Sequence, residues 1–173
     1  MSDEIGLFFG STDGNTAYVA DLIKAEFALT GQMTVELFDI AEFYLTEMLT
    51  FDYLMLGVPT WNTGQLQQDW EANLAELDEL DLTGKRVALF GLGDQIGYPT
   101  TFADALFFVA DKVQERGAQL VGRWPTVGYT FDQSWAVVDG AFVGIVLDQE
   151  NQPELTPLRI AVWVQQLLTE FRE

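Results

Sequence analysis

The chain is predicted to be α/β, and three observations carry that prediction. Short apolar runs alternate with amphipathic helical stretches, the central runs are continuous enough to be buried on both faces, and the first run empties into a hydroxyl- and glycine-rich turn. Parallel strands joined by crossover helices have this pattern. With 173 residues and 49% hydrophobic content, the chain can fill a sizeable core as a single domain over residues 1–173. No linker, repeat or low-complexity tract interrupts it.

The elements follow in order. Ile5-Gly6-Leu7-Phe8-Phe9-Gly10 is the first strand and runs into Ser11-Thr12-Asp13-Gly14-Asn15-Thr16. Ala17, Ala20, Ile23 and Phe27 then fall on one helical face. Thr34-Val35-Glu36-Leu37-Phe38 reads as the second strand and residues 53–58 as the third. Trp70, Leu74 and Leu77 predict the next helix, and the Gly84-Lys85 turn leads into a fourth strand over residues 87–91. Phe102, Leu106, Val109 and Val113 mark a further helix. Residues 119–122 and 141–147 both read as strand, with 124–140 between them, so a last strand interrupted by an inserted excursion is expected. Ile160, Val164, Leu167, Leu168 and Phe171 form the stripe of a closing helix. The acidic run over residues 76–81 reads as a solvated helix end.

Composition excludes several function classes. A formal charge of -19, from 8 Lys+Arg against 27 Asp+Glu, disfavours nucleic acid and anionic membranes and favours a basic protein partner, although acidity also serves solubility. Cysteine and histidine are both absent. That removes disulfides, thiolate nucleophiles, Ser-His-Asp triads and the usual zinc, copper and haem ligand sets. Met1-Ser2-Asp3-Glu4 has no basic n-region or apolar h-region, and no apolar run approaches the ~18 residues of a membrane span. A soluble cytoplasmic protein is the expectation.

In an open α/β sheet, ligands gather at the carboxyl ends of the strands near the switch in strand order. The first strand is followed by the 11–16 turn, the third by Pro59-Thr60-Trp61-Asn62-Thr63-Gly64, and the fourth by Leu92-Gly93-Asp94-Gln95-Ile96-Gly97-Tyr98. The 11–16 turn opens a helix, whose first N–H groups lack intrahelical partners and whose dipole favours an anion. No Lys or Arg lies in the turn and no Gly-Lys-Ser or Gly-Lys-Thr occurs anywhere, which points to a retained phosphorylated ligand rather than phosphoryl transfer. Trp61 and Tyr98 suit a flat ring held between them; taken singly, each also reads as an ordinary packed aromatic. Asp94 has no neighbouring base, metal or nucleophile and reads as a turn residue or ring contact. Gly91-Leu92-Gly93 lacks the third glycine of a dinucleotide fingerprint.

These three loops, in this order and on these strands, resemble those of flavodoxins, and the similarity covers essentially the whole chain. The excursion in the last strand resembles the family's long-chain branch. The resemblance implies a three-layer doubly wound sandwich with a five-stranded parallel sheet of order 2-1-3-4-5; flavodoxin is itself the standard instance of that order, which spacing alone does not establish. It implies FMN held without a covalent bond: the phosphate by Ser11, Thr12, Asp13, Gly14, Asn15 and Thr16, one flavin face by Pro59, Thr60, Trp61, Asn62, Thr63 and Gly64, the other by Leu92, Gly93, Asp94, Gln95, Gly97 and Tyr98. It implies a low-potential one-electron carrier rather than an enzyme, cycling between semiquinone and hydroquinone, with the Asn62 carbonyl rotating to accept from flavin N5–H. Its implied partners are redox proteins with basic docking surfaces, a flavin- or iron-sulfur-containing reductase or acceptor, and the chain is expected to be a monomer. Two positions depart from the family pattern. Asp13 stands where a hydroxyl residue is usual and is expected to face solvent or cap the helix; Thr63 is branched where some members have a smaller residue.

Two other function classes share features with this chain. A flavin-dependent NAD(P)H:quinone reductase shares the fold, but no nicotinamide site is evident. A receiver-type signalling module needs an acidic pair after strand one and an aspartate ending strand three, where this chain has Gly10-Ser11 and Pro59-Thr60.

Overall fold

The structure, a computed structural model, describes residues 3–173; Met1 and Ser2, part of the N-terminal segment considered above, lie outside the described residues. Strand β1 (Glu4–Phe9) leads to helix α1 (Asn15–Thr30), β2 (Thr34–Asp39), a short 3-10 turn at Leu45–Thr50, and β3 (Tyr53–Trp61). The two-residue strand β4 (Gln65–Leu66) precedes α2 (Gln68–Leu77), β5 (Arg86–Leu92) and α3 (Ala105–Glu115). The chain continues through β6 (Gln119–Val121), β7 (Trp124–Pro125), β8 (Val137–Val138), β9 (Ala141–Phe142) and β10 (Ile145–Leu147), and ends in α4 (Thr156–Glu170).

The main sheet is parallel, in the order β10-β5-β3-β1-β2, with β6 also paired to β5. β6 and β10 are two halves of one edge strand: β6 pairs with Arg86, Val87 and Ala88, and β10 takes over at Phe90, Gly91 and Leu92. With that split strand counted once, the order is 2-1-3-4-5. Between the halves, β7, β8 and β9 form a separate antiparallel sheet.

Alternation along the strands builds two cores, one on each face. Ile5, Leu7 and Phe9 of β1 pack with Val19, Ile23 and Phe27 of α1 and Ile160, Trp163 and Val164 of α4. Phe8, Leu54, Leu56 and Val58 face the other way, onto Trp70 and Leu77 of α2 and Leu106, Val109 and Val113 of α3. The continuous apolar run of β3 is thus covered on both sides, giving three layers.

Three expectations are corrected. Ala141 and Phe142 belong to the small antiparallel sheet rather than to the last parallel strand, which begins at Ile145. The join is at Gly144, where a Cβ would lie 2.0 Å from the Leu89 carbonyl oxygen, so only glycine lets the chain enter the sheet there. Phe102 precedes α3 rather than lying on its stripe, and is buried against the rings of Tyr129, Phe131 and Phe142 in the excursion. β3 runs on to Trp61 instead of stopping at Val58, because Thr60 and Trp61 pair with Leu66 and Gln65 of β4.

The excursion is anchored from beneath. The Arg159 guanidinium sits 4.0 Å from the centre of the Tyr129 ring, and the Tyr129 hydroxyl donates to the Val146 carbonyl. Burial pushes that hydroxyl's pKa up to about 12. No described helix is long and apolar enough to cross a membrane.

Candidate functional site

The carboxyl ends of β1, β3 and β5 open on one cleft of about 240 Å³. Asp13, Asn15 and Thr16 line it from the first loop, Pro59, Thr60, Trp61 and Asn62 from the second, and Leu92, Gly93, Asp94 and Tyr98 from the third. This is where an open α/β sheet gathers ligands, beside the strand at which the winding reverses.

The first loop bends at Gly14, whose φ of 91° is a left-handed conformation that suits glycine, and α1 starts at the next residue. Its side chains cap the helix from outside. Ser11 Oγ accepts from the Ala17 N–H at 3.4 Å, and Asp13 Oδ1 accepts from the Asn15 N–H at 3.0 Å. Asp13 Oδ2 also accepts from Asn15 Nδ2 at 3.3 Å, so the exposed Asp13 carboxylate is a helix cap at the rim of the cleft. Thr16, 1% exposed, points a hydroxyl that has no hydrogen-bond partner among the described residues.

The second loop is a three-residue turn between β3 and β4. Asn62 takes φ 47° and Gly64 φ 81°, and Asn62 Nδ2 donates to Gln65 Oε1 at 3.0 Å. Thr60 Oγ1 accepts from the Ala105 N–H at 3.1 Å, which ties this loop to the start of α3. Asn62 and Ala103 are two of the three non-glycine residues with positive φ among the described residues, and both line the cleft. Such backbone strain concentrates at functional sites.

In the third loop Asp94 is committed to structure. Its Oδ1 accepts from the N–H groups of Gly97 at 2.7 Å and Ile96 at 3.1 Å and from Asn151 Nδ2 at 2.8 Å. The Gly97 N–H above all, with Asn151 and Ile96, holds its pKa below the usual carboxylate value against the opposing effect of burial. A carboxylate so occupied is a poor proton acceptor, in keeping with a turn residue. Gln95 is turned away: 2% exposed, it donates from Nε2 to Asp148 Oδ2 at 2.8 Å and accepts from the Thr130 N–H at 2.6 Å.

Ser11, Thr12, Gly14, Thr63, Gly64, Gln95 and Gly97 of the expected set sit in the same three loops without lining the cleft. Conversely, Thr101, Phe102, Ala103, Gln149 and Glu150 line it and were not expected. In sequence Phe102 reads as part of a helical stripe, and residues 149–150 simply follow the last apolar run; neither position carries a local motif. Asp13, Asp94 and Glu150 are the charged lining residues, and none is Lys or Arg.

The donor set fits a phosphorylated flat ligand. Thr16 Oγ1 and Thr101 Oγ1 are buried hydroxyls without a partner among the described residues, and both residues line the cleft. An acceptor-rich group would satisfy them.

A family model described as Flavodoxin matches residues 7–163. A flavodoxin of Picosynechococcus sp. is 49% identical over 168 residues, 97% of this chain and 98% of its own length. A flavodoxin of Nostoc sp. is 47% identical over 171 residues, 99% of each chain. Among solved structures, Fusobacterium nucleatum flavodoxin bound to flavin mononucleotide superposes with a TM-score of 0.91 at 33% identity, covering 97% of this chain and 98% of that one. The chain therefore belongs to the flavodoxin family.

Proposed function

We propose that this chain is one FMN-binding domain, residues 1–173, that carries electrons singly between redox proteins. It is an electron-transfer protein rather than an enzyme. The observation that carries the reading is the convergence of three strand-end loops on one cleft, one offering hydroxyls and amides and the other two an aromatic each. FMN bound there supplies one-electron redox chemistry at its ring.

The residues divide the work. Ser11, Thr12, Asn15 and Thr16, with the N-terminus of α1, hold the phosphate through hydroxyls and N–H groups, and Gly14 gives the turn its shape. Trp61 and Tyr98 cover the ring and keep water from it, Pro59, Thr60, Asn62, Thr63 and Gly64 frame one side, and Leu92, Gly93, Asp94 and Gly97 the other. Gln95 acts at one remove, by fixing the third loop to Asp148. The three lining carboxylates and the -19 formal charge place negative potential around the cleft, which disfavours adding an electron to an already reduced ring. A low second potential follows.

The same acidity supports steering toward partners with basic docking surfaces, a flavin- or iron-sulfur-containing reductase or acceptor, with rates that fall as salt rises. We propose that the protein works as a cytoplasmic monomer. Titration of the apoprotein with FMN, followed by quenching of flavin fluorescence, tests the reading: one equivalent bound is expected, and absence of binding overturns it.

A further inference from the structure

We propose that Gln67, outside the three loops, is a positioning residue that fixes the direction of the Thr12 hydroxyl and thereby makes the site prefer a phosphorylated flavin. The inference rests on the reading of residues 11–16 as the phosphate loop. Gln67 is 1% exposed and caps α2: its Oε1 accepts from the N–H groups of Asp69 at 3.1 Å and Trp70 at 3.3 Å. A backbone N–H can only donate, so the amide oxygen must face the helix and the amide nitrogen must face the other way. There Nε2 donates to Thr12 Oγ1 at 3.0 Å and to Asp69 Oδ2 at 2.7 Å. Both amide hydrogens are spent.

The consequence falls on Thr12. Its oxygen already accepts from Gln67, so its single hydrogen points elsewhere, and a hydroxyl that would otherwise rotate between donor and acceptor roles becomes a donor. The oxygens of a fully ionised phosphate only accept. In a loop without Lys or Arg, a preset donor matters more than it would beside a cation. The link joins residues 55 apart in sequence, and the end of β1 and the middle of β3 are shaped for it. A Cβ at Gly10 would lie 2.2 Å from Gln67 Oε1 and 2.9 Å from Trp70 Cδ1, so Gly10 leaves the amide its place. The Gly57 carbonyl accepts from Trp70 Nε1 at 2.8 Å and from the Gly10 N–H at 3.3 Å, locking helix, loop and both strands together.

The test compares binding of FMN and of riboflavin, which lacks the phosphate, to apoprotein carrying Gln67→Leu, Gln67→Asn, Thr12→Val or Gln67→Leu with Thr12→Val. Gln67→Asn retains a favoured neutral N-cap for α2 but is one methylene too short for Thr12, so it serves if the leucine variant fails to fold. Each Gln67 variant is expected to weaken FMN about tenfold and riboflavin less than about twofold, and the double variant to bind FMN no more weakly than Thr12→Val alone. Equal weakening of both ligands, or additive losses in the double variant, would overturn the role of Gln67. If Thr12→Val itself leaves the FMN-to-riboflavin ratio unchanged, the phosphate-loop reading fails as well. If Thr12→Val lowers the ratio and the Gln67 variants do not, Gln67 alone is wrongly assigned.

Discussion

The backbone N–H of Trp135 donates to Asp104 Oδ1 at 2.8 Å, fastening the excursion in the last strand to the turn that opens α3. Asp104 also backs the second loop, since a Cβ on Gly64 would lie 3.1 Å from its Oδ2. Asp104 is 6% exposed, and burial raises its pKa above the ordinary value of 3.8 while the Trp135 N–H pulls the other way. A raised folded-state pKa means the native protein favours the protonated acid. The resulting stability is present below pH 3.8 and is lost as pH rises through the folded value.

Asp104→Asn is therefore expected to stabilise the protein at neutral pH. The amide keeps an acceptor for Trp135 and removes the buried charge. Thermal unfolding followed by circular dichroism should show Tm raised by a few degrees, roughly 2–6 °C, at pH 7, with the gap closing toward pH 3. A lower Tm at pH 7 would show that the charged form is the favoured one.

Asp94 behaves with the opposite sign. Its pKa is lowered, so its contribution is present above pH 3.8 and is lost as pH falls through the folded value. Asp94→Ala should cost about 1–2 kcal/mol at neutral pH from the lost hydrogen bonds, and little in acid. Urea unfolding at pH 7 and pH 3 checks this; an equal loss at both would point to packing instead.

Trp61 and Tyr98 are expected to act on the ring and not on the phosphate. Tyr98 is 41% exposed, so its contribution should be the smaller. Stacking contributes roughly 0.5–1.5 kcal/mol beyond the apolar area buried, so Trp61→Ala should weaken FMN by about tenfold or more. Riboflavin should weaken equally, the reverse of the Thr12 pattern, and a loss confined to FMN would contradict the assignment.

Asp13 tests the phosphate loop from its rim. Because its carboxylate is exposed and engaged with Asn15, Asp13→Thr is expected to improve FMN affinity by less than about tenfold near physiological salt. A gain of about a hundredfold would show that the charge repels the phosphate directly.

Periodicity made most of the fold legible. Ala20, Ile23 and Phe27 on α1 and Ile160, Val164 and Leu167 on α4 are buried as their spacing predicts. The strand-end loops were legible for a different reason: hydroxyls, glycines and aromatics cluster where apolar runs stop. What escaped depends on distant partners. Ala141 and Phe142 have strand-like residues, but which sheet they join is decided by the Gly144 crossing over Leu89. Phe102 has helical spacing with Leu106 and Val109, yet it is drawn out of the helix by Tyr129, Phe131 and Phe142. Gln67 escaped because glutamine is not a usual N-cap, and nothing local links it to Thr12.

Single-electron carriage by this chain is tested most directly by stepwise anaerobic reduction of the FMN-loaded protein with the two one-electron potentials measured. A half-reduced flavin with long-wavelength absorption is expected to accumulate between the steps, with a second potential well below that of free FMN. A hundredfold weaker grip on the fully reduced ring corresponds to about 120 mV. A single two-electron step, or a second potential equal to that of free FMN, would contradict this expectation.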